Sequence, residues 1–142
     1  MPETVIKPST KLISAQYAAA AALAVAIAFF AASRNEQLIY ALLLVPAFLA
    51  LSAAKEHLRV AFTKITISEG RLRYQEGIFS RDTRTLDLAK LQDVRVTQTL
   101  LQRMTGIGDL IVENAAESGP LSMRSVDDPQ AAADRILNFG QK

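Results

Sequence analysis

The chain has 142 residues, 50% of them hydrophobic, with a net charge of +2 and no cysteine. So small a charge argues against a nucleic-acid binder that works by neutralising phosphates. The lack of cysteine excludes disulfides and thiolate metal sites, and a single histidine, His57, leaves no histidine cluster for zinc or acid–base work.

Hydropathy is lopsided along the chain. Residues 1–11 read as an N-terminal tail. Leu12 to Ala54 holds two apolar runs separated by Ser33-Arg34-Asn35-Glu36-Gln37. The first is uncharged from Leu12 to Ser33, about 22 residues, which as a helix spans roughly 33 Å, enough for a hydrocarbon core of about 30 Å. The second, Gln37 to Ala54, is also uncharged and about 18 residues long, near the lower limit for a span. Neither run shows the polar face of a soluble helix. The expectation is a transmembrane α-helical hairpin at 12–54, with Pro46 kinking its second arm. Ala18, Ala22 and Ala26, at four-residue spacing, would let two backbones approach closely, either within the hairpin or between copies. Lys7 and Lys11 precede the hairpin and Lys55, Arg59 and Lys64 follow it, whereas the link holds only Arg34 beside Glu36. That bias places both termini in the cytoplasm. A rival reading takes the first run as a signal peptide cleaved after Ala31-Ala32-Ser33; its apolar run is longer than such segments use.

From Lys55 the chain becomes charged and mixed. Phe62 to Ile67 alternates and is β-branched, Ser68-Glu69-Gly70 is a turn, and Arg71 to Gln75 alternates again. The pair reads as a hairpin with Ile65, Ile67, Leu72 and Tyr74 buried. Ile78–Arg81 and Arg84–Leu88 form one bent strand or two short ones. Leu91, Val94 and Val96 break strict alternation, which predicts a bulge. Leu100–Thr105 reads as a helical turn stopped at Gly106. Strands follow at Asp109–Asn114 and Leu121–Val126, joined by a turn at Glu117–Pro120. A last helix is capped by Asp128, opened by Pro129 and closed by Gly140, with Ala132, Ala133, Ile136 and Leu137 as its buried stripe. The fold class is therefore a helical hairpin followed by a mainly β domain at 55–142, with six or seven antiparallel strands and a C-terminal helix covering an open end.

Several stretches carry a family resemblance: Ile67-Ser68-Glu69-Gly70-Arg71-Leu72, Gly77-Ile78-Phe79-Ser80-Arg81, Leu86 to Val94, and above all Gln98 to Leu110. Over about Lys55 to Leu137, and in its hairpin architecture, the chain resembles the bacterial membrane-anchored PH-like (pleckstrin-homology-like) domains, whose members commonly carry two preceding transmembrane helices. The resemblance implies a PH-like antiparallel barrel capped by a C-terminal helix. It also implies a non-catalytic domain at the cytoplasmic face of the bacterial inner membrane, without a cofactor.

Two surfaces are candidates for binding. Leu100, Leu101, Arg103 and Met104 form either an exposed knob for a protein partner or self-association, or a turn folded over the barrel to bury its apolar side chains. Lys64, Arg71 and Arg73 flank the first hairpin turn on one side of the sheet. They resemble the basic loop with which many PH domains bind phosphoinositides, so an anionic lipid headgroup is the alternative ligand; an ordinary solvated strand face is the plainer reading, because the loop is short, Glu69 sits in it and the domain is nearly neutral. Gly106-x-Gly108 precedes a strand instead of opening a helix, so it lacks the context of a phosphate loop. Ser80 and Ser122 have no histidine partner, and Asp82, Asp87 and Asp93 form no acid–base pair. No catalytic residue, cofactor site or metal site is expected.

Overall fold

The computed structural model describes residues 3–34, 36–115 and 119–141. The chain divides into two compact units, Thr10–Leu58, and Met1–Ser9 together with Arg59–Lys142.

In the first unit, α1 runs Lys11–Arg34, and a 3-10 helix, Gln37–Leu43, leads directly into α2, Leu44–Ala61. α1, and the 3-10 helix continued by α2 over Gln37–Ala61, are each long and apolar enough to cross a membrane. Their outward residues include Phe29, Leu38, Leu44 and Phe48, all largely exposed. The face of α1 that packs is Ile13, Tyr17, Ala20, Ala24, Ile27 and Ala31, at alternating spacings of four and three. Ala18, Ala22 and Ala26 are exposed, so they do not form the seam within the hairpin. A strict four-residue repeat drifts around the helix, whereas the mixed spacing stays on one face. Gln16 donates to the Ser52 hydroxyl at 2.8 Å, and the Tyr17 ring meets His57 edge-on with centroids 6.2 Å apart. Pro46 does not kink a helix interior but lies in the first turn of α2. Proline has no N–H to continue the α ladder and its ring crowds the carbonyl four residues back; the segment before it is the tighter 3-10 helix.

Among the described residues the second unit has seven strands in two sheets, in the orders β1-β2-β3-β4 and β5-β6-β7. They span Thr4–Ile6 (β1), Lys64–Ser68 (β2), Arg71–Glu76 (β3), Asp82–Asp87 (β4), Leu91–Thr97 (β5), Ile107–Asn114 (β6) and Leu121–Asp127 (β7). α3 is Leu100–Thr105 and α4 is Pro129–Gly140. Among the described residues all strand pairs are antiparallel.

The β2–β3 hairpin turns through Glu69 and Gly70, both at positive φ (51° and 72°), a pair that matches the right-handed twist of the strands. Ile65, Ile67, Leu72 and Tyr74 all point into the core. The chain changes sheet at a 3-10 turn, Leu88–Lys90, where the Asp87 carboxylate accepts from the Ala89 N–H at 3.0 Å. Leu88 is buried there, and the Asn114 side chain braces the corner by donating to the Asp87 carbonyl at 2.8 Å. The bulge in β5 falls between Leu91 and Asp93. Leu91, Val94 and Val96 consequently all pack against the core.

Two expectations about the sheets are corrected. Thr4–Ile6, in the segment read as a tail, is an edge strand: Val5 pairs with Thr66 and Ile6 with Ile65. The strand is three residues long and follows no periodicity that a sequence window could detect. The barrel is also not closed. At the β1–β7 side the two sheets meet through an isolated bridge between Pro8 and Val126 and a hydrogen bond from the Ser9 N–H to the Ser125 carbonyl, not through a continuous strand ladder. Proline supplies no donor, so Pro8 cannot extend β1 into a full ladder. The expected turn at Glu117–Pro120 lies partly outside the described residues.

α4 covers the core with Pro129, Ala132, Ala133 and Ile136. Leu137, expected in that stripe, is 38% exposed, and Phe139 packs against the core instead. At about 100° per residue, Leu137 lies roughly 100° from Ile136 around the helix, whereas Phe139 lies only about 60° away on the other side.

Tyr74 is buried, and its hydroxyl donates to the Glu76 carboxylate at 2.7 Å. Burial pushes its pKa up from the ordinary 10.0, and the hydrogen bond and negative charge of Glu76 add to the shift. The folded state therefore holds the protonated phenol, and its stabilisation is complete below the unfolded value and drains as pH rises through and beyond it. Tyr74→Phe is expected to cost about 1 kcal/mol at neutral pH. It should also flatten the loss of stability above about pH 10, as read by urea unfolding of the full chain in mild detergent at neutral and alkaline pH.

Candidate functional site

The stretch from Gln98 to Leu110 forms a rigid platform. Thr99 and Gln102 make a reciprocal capping box: the Thr99 N–H donates to the Gln102 side-chain oxygen at 2.8 Å, and the Gln102 N–H donates to the Thr99 hydroxyl at 3.3 Å. Two orphan donors of a one-turn helix are thereby satisfied. The other end stops at Gly106, whose φ of 72° is the left-handed cap that glycine adopts without strain. The Thr105 hydroxyl closes the last turn on the Leu101 carbonyl at 2.9 Å.

The Gln102 side chain is buried and donates across to the Asp109 carboxylate at 2.9 Å. The same oxygen accepts the Ser125 N–H at 3.0 Å. Ser125 is at positive φ, and the β6–β7 register shifts between Gly108 and Leu110. One carboxylate thus joins α3 to the irregular part of the sheet. Gln98 adds a bond to the Ile107 carbonyl at 2.8 Å. A Cβ on Gly108 would fall 2.7 Å from Gln98 and 2.8 Å from Pro129, so this glycine permits close packing and is not part of a phosphate loop.

With α3 pinned by its polar side, its apolar side chains face outward. Leu100, Leu101 and Met104 are 75%, 69% and 78% exposed, and Arg103 beside them is exposed too. The alternative in which this turn folds over the barrel to bury them is not what forms. The face that packs on the sheet is supplied by Gln102, a residue whose role the capping-box spacing Thr99-x-x-Gln102 could have revealed.

The basic hairpin is divided. Arg71 and Arg73 share a shallow cavity of about 120 Å³ with Glu3 and Glu69, so two carboxylates oppose the two cations. In the β2–β3 register Arg71 pairs with Ser68 and Arg73 with Thr66, but Lys64 pairs with Gln75 at the far end, about 13 Å along the strand from Ser68. Lys64 lines a different cavity, with Lys7 and Arg81. No group of three or more histidine, aspartate or glutamate side chains that could hold a metal exists among the described residues.

The described residues thus combine a four-stranded and a three-stranded sheet, a helix against their core, and two long apolar helices. The family described as Bacterial PH domain matches this chain over residues 12–139. The chain belongs to that family. No curated protein and no solved structure matches the chain. The family match starts at the first apolar helix, so it covers the helical pair as well as the sheets. β1 and Lys7 lie ahead of it.

Proposed function

We propose that this protein is a non-catalytic, membrane-anchored scaffold whose PH domain docks a protein partner, or a second copy of itself, at the cytoplasmic face of the bacterial inner membrane. The observation that carries the reading is the outward presentation of Leu100, Leu101 and Met104 on a helix pinned by part-buried hydrogen bonds. Exposed apolar side chains on a pre-organised support lose little conformational entropy on docking, and Arg103 beside them adds a charged group suited to an interface.

Several features support the anchorage. Both apolar helices direct large side chains outward, where water would be an unfavourable neighbour. β1 precedes α1, β2 follows α2, and the two strands pair, which supports a chain that returns to the side from which it left. Lysine and arginine flank that side, as cytoplasmic segments do. Anchorage would raise the effective concentration of the domain for membrane-bound partners.

A photocrosslinking amino acid at Leu101, introduced into the full chain in its native membrane, tests the docking face. A discrete crosslinked species is expected, identifiable by mass spectrometry, and it should fall about tenfold in yield in the Leu100→Ser/Met104→Ser background, the loss of two apolar anchors. Equal yields in both backgrounds would remove α3 from the interface.

A further inference from the structure

The end of the four-stranded sheet opposite the Glu69–Gly70 turn holds a cavity of about 280 Å³. Its lining includes Lys7, Phe62, Lys64, Gln75, Gly77 and Arg81. All three cations are exposed, and none forms an ion pair among the described residues. Among the described residues no carboxylate lines it. The nearest along the strands are Glu76, which accepts from Tyr74, and Asp82, which pairs with Glu76 across the β3–β4 ladder. The contrast with the Arg71–Arg73 cavity, which contains Glu3 and Glu69, is direct.

The loop that closes this end, between β3 and β4, carries Phe79 at full exposure (102%), with Ile78 beside it also exposed. Its shape is constrained: Gly77 sits at φ 128°, and a Cβ there would fall 1.7 Å from the Ser80 carbonyl oxygen. Phe62, on the cavity wall, is 49% exposed. Cations beside outward aromatic side chains are the composition of a surface that sits at a lipid headgroup layer.

Two lining residues lie close in sequence to the helix ends. Lys7 precedes the start of α1 at Lys11, and Lys64 follows the end of α2 at Ala61. At no more than about 3.6 Å per residue, these tethers hold the two lysines within roughly 15 Å and 11 Å of the helix ends.

We propose that this cavity seats the phosphate of an anionic membrane lipid on Lys7, Lys64 and Arg81, with Phe79 entering the boundary between headgroups and acyl chains. The inference rests on the membrane anchorage proposed above, but it concerns the end of the sheet opposite the Arg71–Arg73 turn, and Lys7 precedes the family match. Phosphate chemistry alone would also accept a free phosphate. The exposed Phe79 and the short tethers assign the lipid source.

The chain has no tryptophan, so Phe79→Trp and, separately, Leu23→Trp each give a single fluorescent reporter. The full chain would be reconstituted in phosphatidylcholine nanodiscs with increasing fractions of phosphatidylglycerol and chain-brominated quencher lipid. Leu23→Trp, within α1, should be quenched at every composition, and Phe79→Trp only as phosphatidylglycerol increases. Adding Arg81→Gln should raise the fraction needed for half-maximal quenching about fivefold, the effect of one cation near an anionic surface. Lys7→Gln/Lys64→Gln/Arg81→Gln should abolish the response, and Arg71→Gln/Arg73→Gln should leave it unchanged.

An unquenched Leu23→Trp would overturn the anchorage and this inference together. A quenched Leu23→Trp with an unquenched Phe79→Trp would overturn the site alone. So would quenching of Phe79→Trp that ignores phosphatidylglycerol, or an Arg71→Gln/Arg73→Gln chain impaired as strongly as the cavity triple variant. Inorganic phosphate that shifts Phe79→Trp emission in detergent without lipid would overturn the lipid source.

Discussion

Ile6→Asp is expected to destabilise the sheet unit by about 3 kcal/mol or more, the sum of a lost buried aliphatic side chain and the cost of a carboxylate in an apolar site. Ile6 is buried opposite Ile65 in the β1–β2 ladder and belongs to the same core cluster as Ile67 and Leu72. Small domains hold a margin of about 5–15 kcal/mol, so the substitution removes a large share of it. Val5 is the internal control. It points to the other face of the same strand and is 44% exposed, so Val5→Asp should change stability by no more than about 0.5 kcal/mol. Urea unfolding of the full chain in mild detergent reads both. Equal effects would mean that β1 contributes no buried face, and that the residues before the helical hairpin are a tail after all.

Asp109→Ala is expected to cost about 2–4 kcal/mol and to release α3. The Asp109 carboxylate oxygen is the shared acceptor for the Gln102 amide and the Ser125 N–H. Removing it leaves two donors in a part-buried site without partners, each worth about 1–3 kcal/mol. Asp109→Asn keeps an acceptor oxygen and should lose about half as much, because hydrogen bonds to a charged acceptor are about twice as strong. Trypsin cleavage after Arg103 should accelerate in Asp109→Ala under native conditions, since local opening exposes that bond. Gln102→Ala acts through the same bond, so a double-mutant cycle between positions 102 and 109 should show coupling of about 1–2 kcal/mol. Additivity would mean that α3 is held by Gln98 and its own capping box instead.

Much of the sheet unit was legible because its signals are local. The β-branched alternation from Phe62 to Ile67, the Glu69–Gly70 turn and the Asp128–Pro129 helix start each lie within a few residues of the element they specify. Even the irregular β5 was readable, since Leu91, Val94 and Val96 cannot share a face without a bulge. What escaped was set by partners distant in sequence. β1 is three residues whose strand state exists only because β2, beyond the whole helical hairpin, offers an edge. Leu137 and Phe139 exchange roles because the shape of the core beneath α4 decides which flank of the helix it covers.

The candidate sites divide in the same way. Apolar residues at Leu100, Leu101 and Met104 were visible, but whether they faced inward or outward depended on Gln102 finding Asp109 across the sheet. Three cations near one hairpin were visible too. Strand register placed Arg71 and Arg73 at one end beside Glu3 and Glu69, and left Lys64 at the other beside Lys7 and Arg81.

By itself the sequence determined two apolar helices of spanning length, a mainly β domain and its closing helix, because hydropathy, periodicity and capping act over one element at a time. Tertiary structure alone decided that the two sheets stay unclosed, that β1 completes the first of them, and which cations stand together. These outcomes depend on pairing between distant segments, where a side chain's neighbours are chosen by register and not by proximity along the chain.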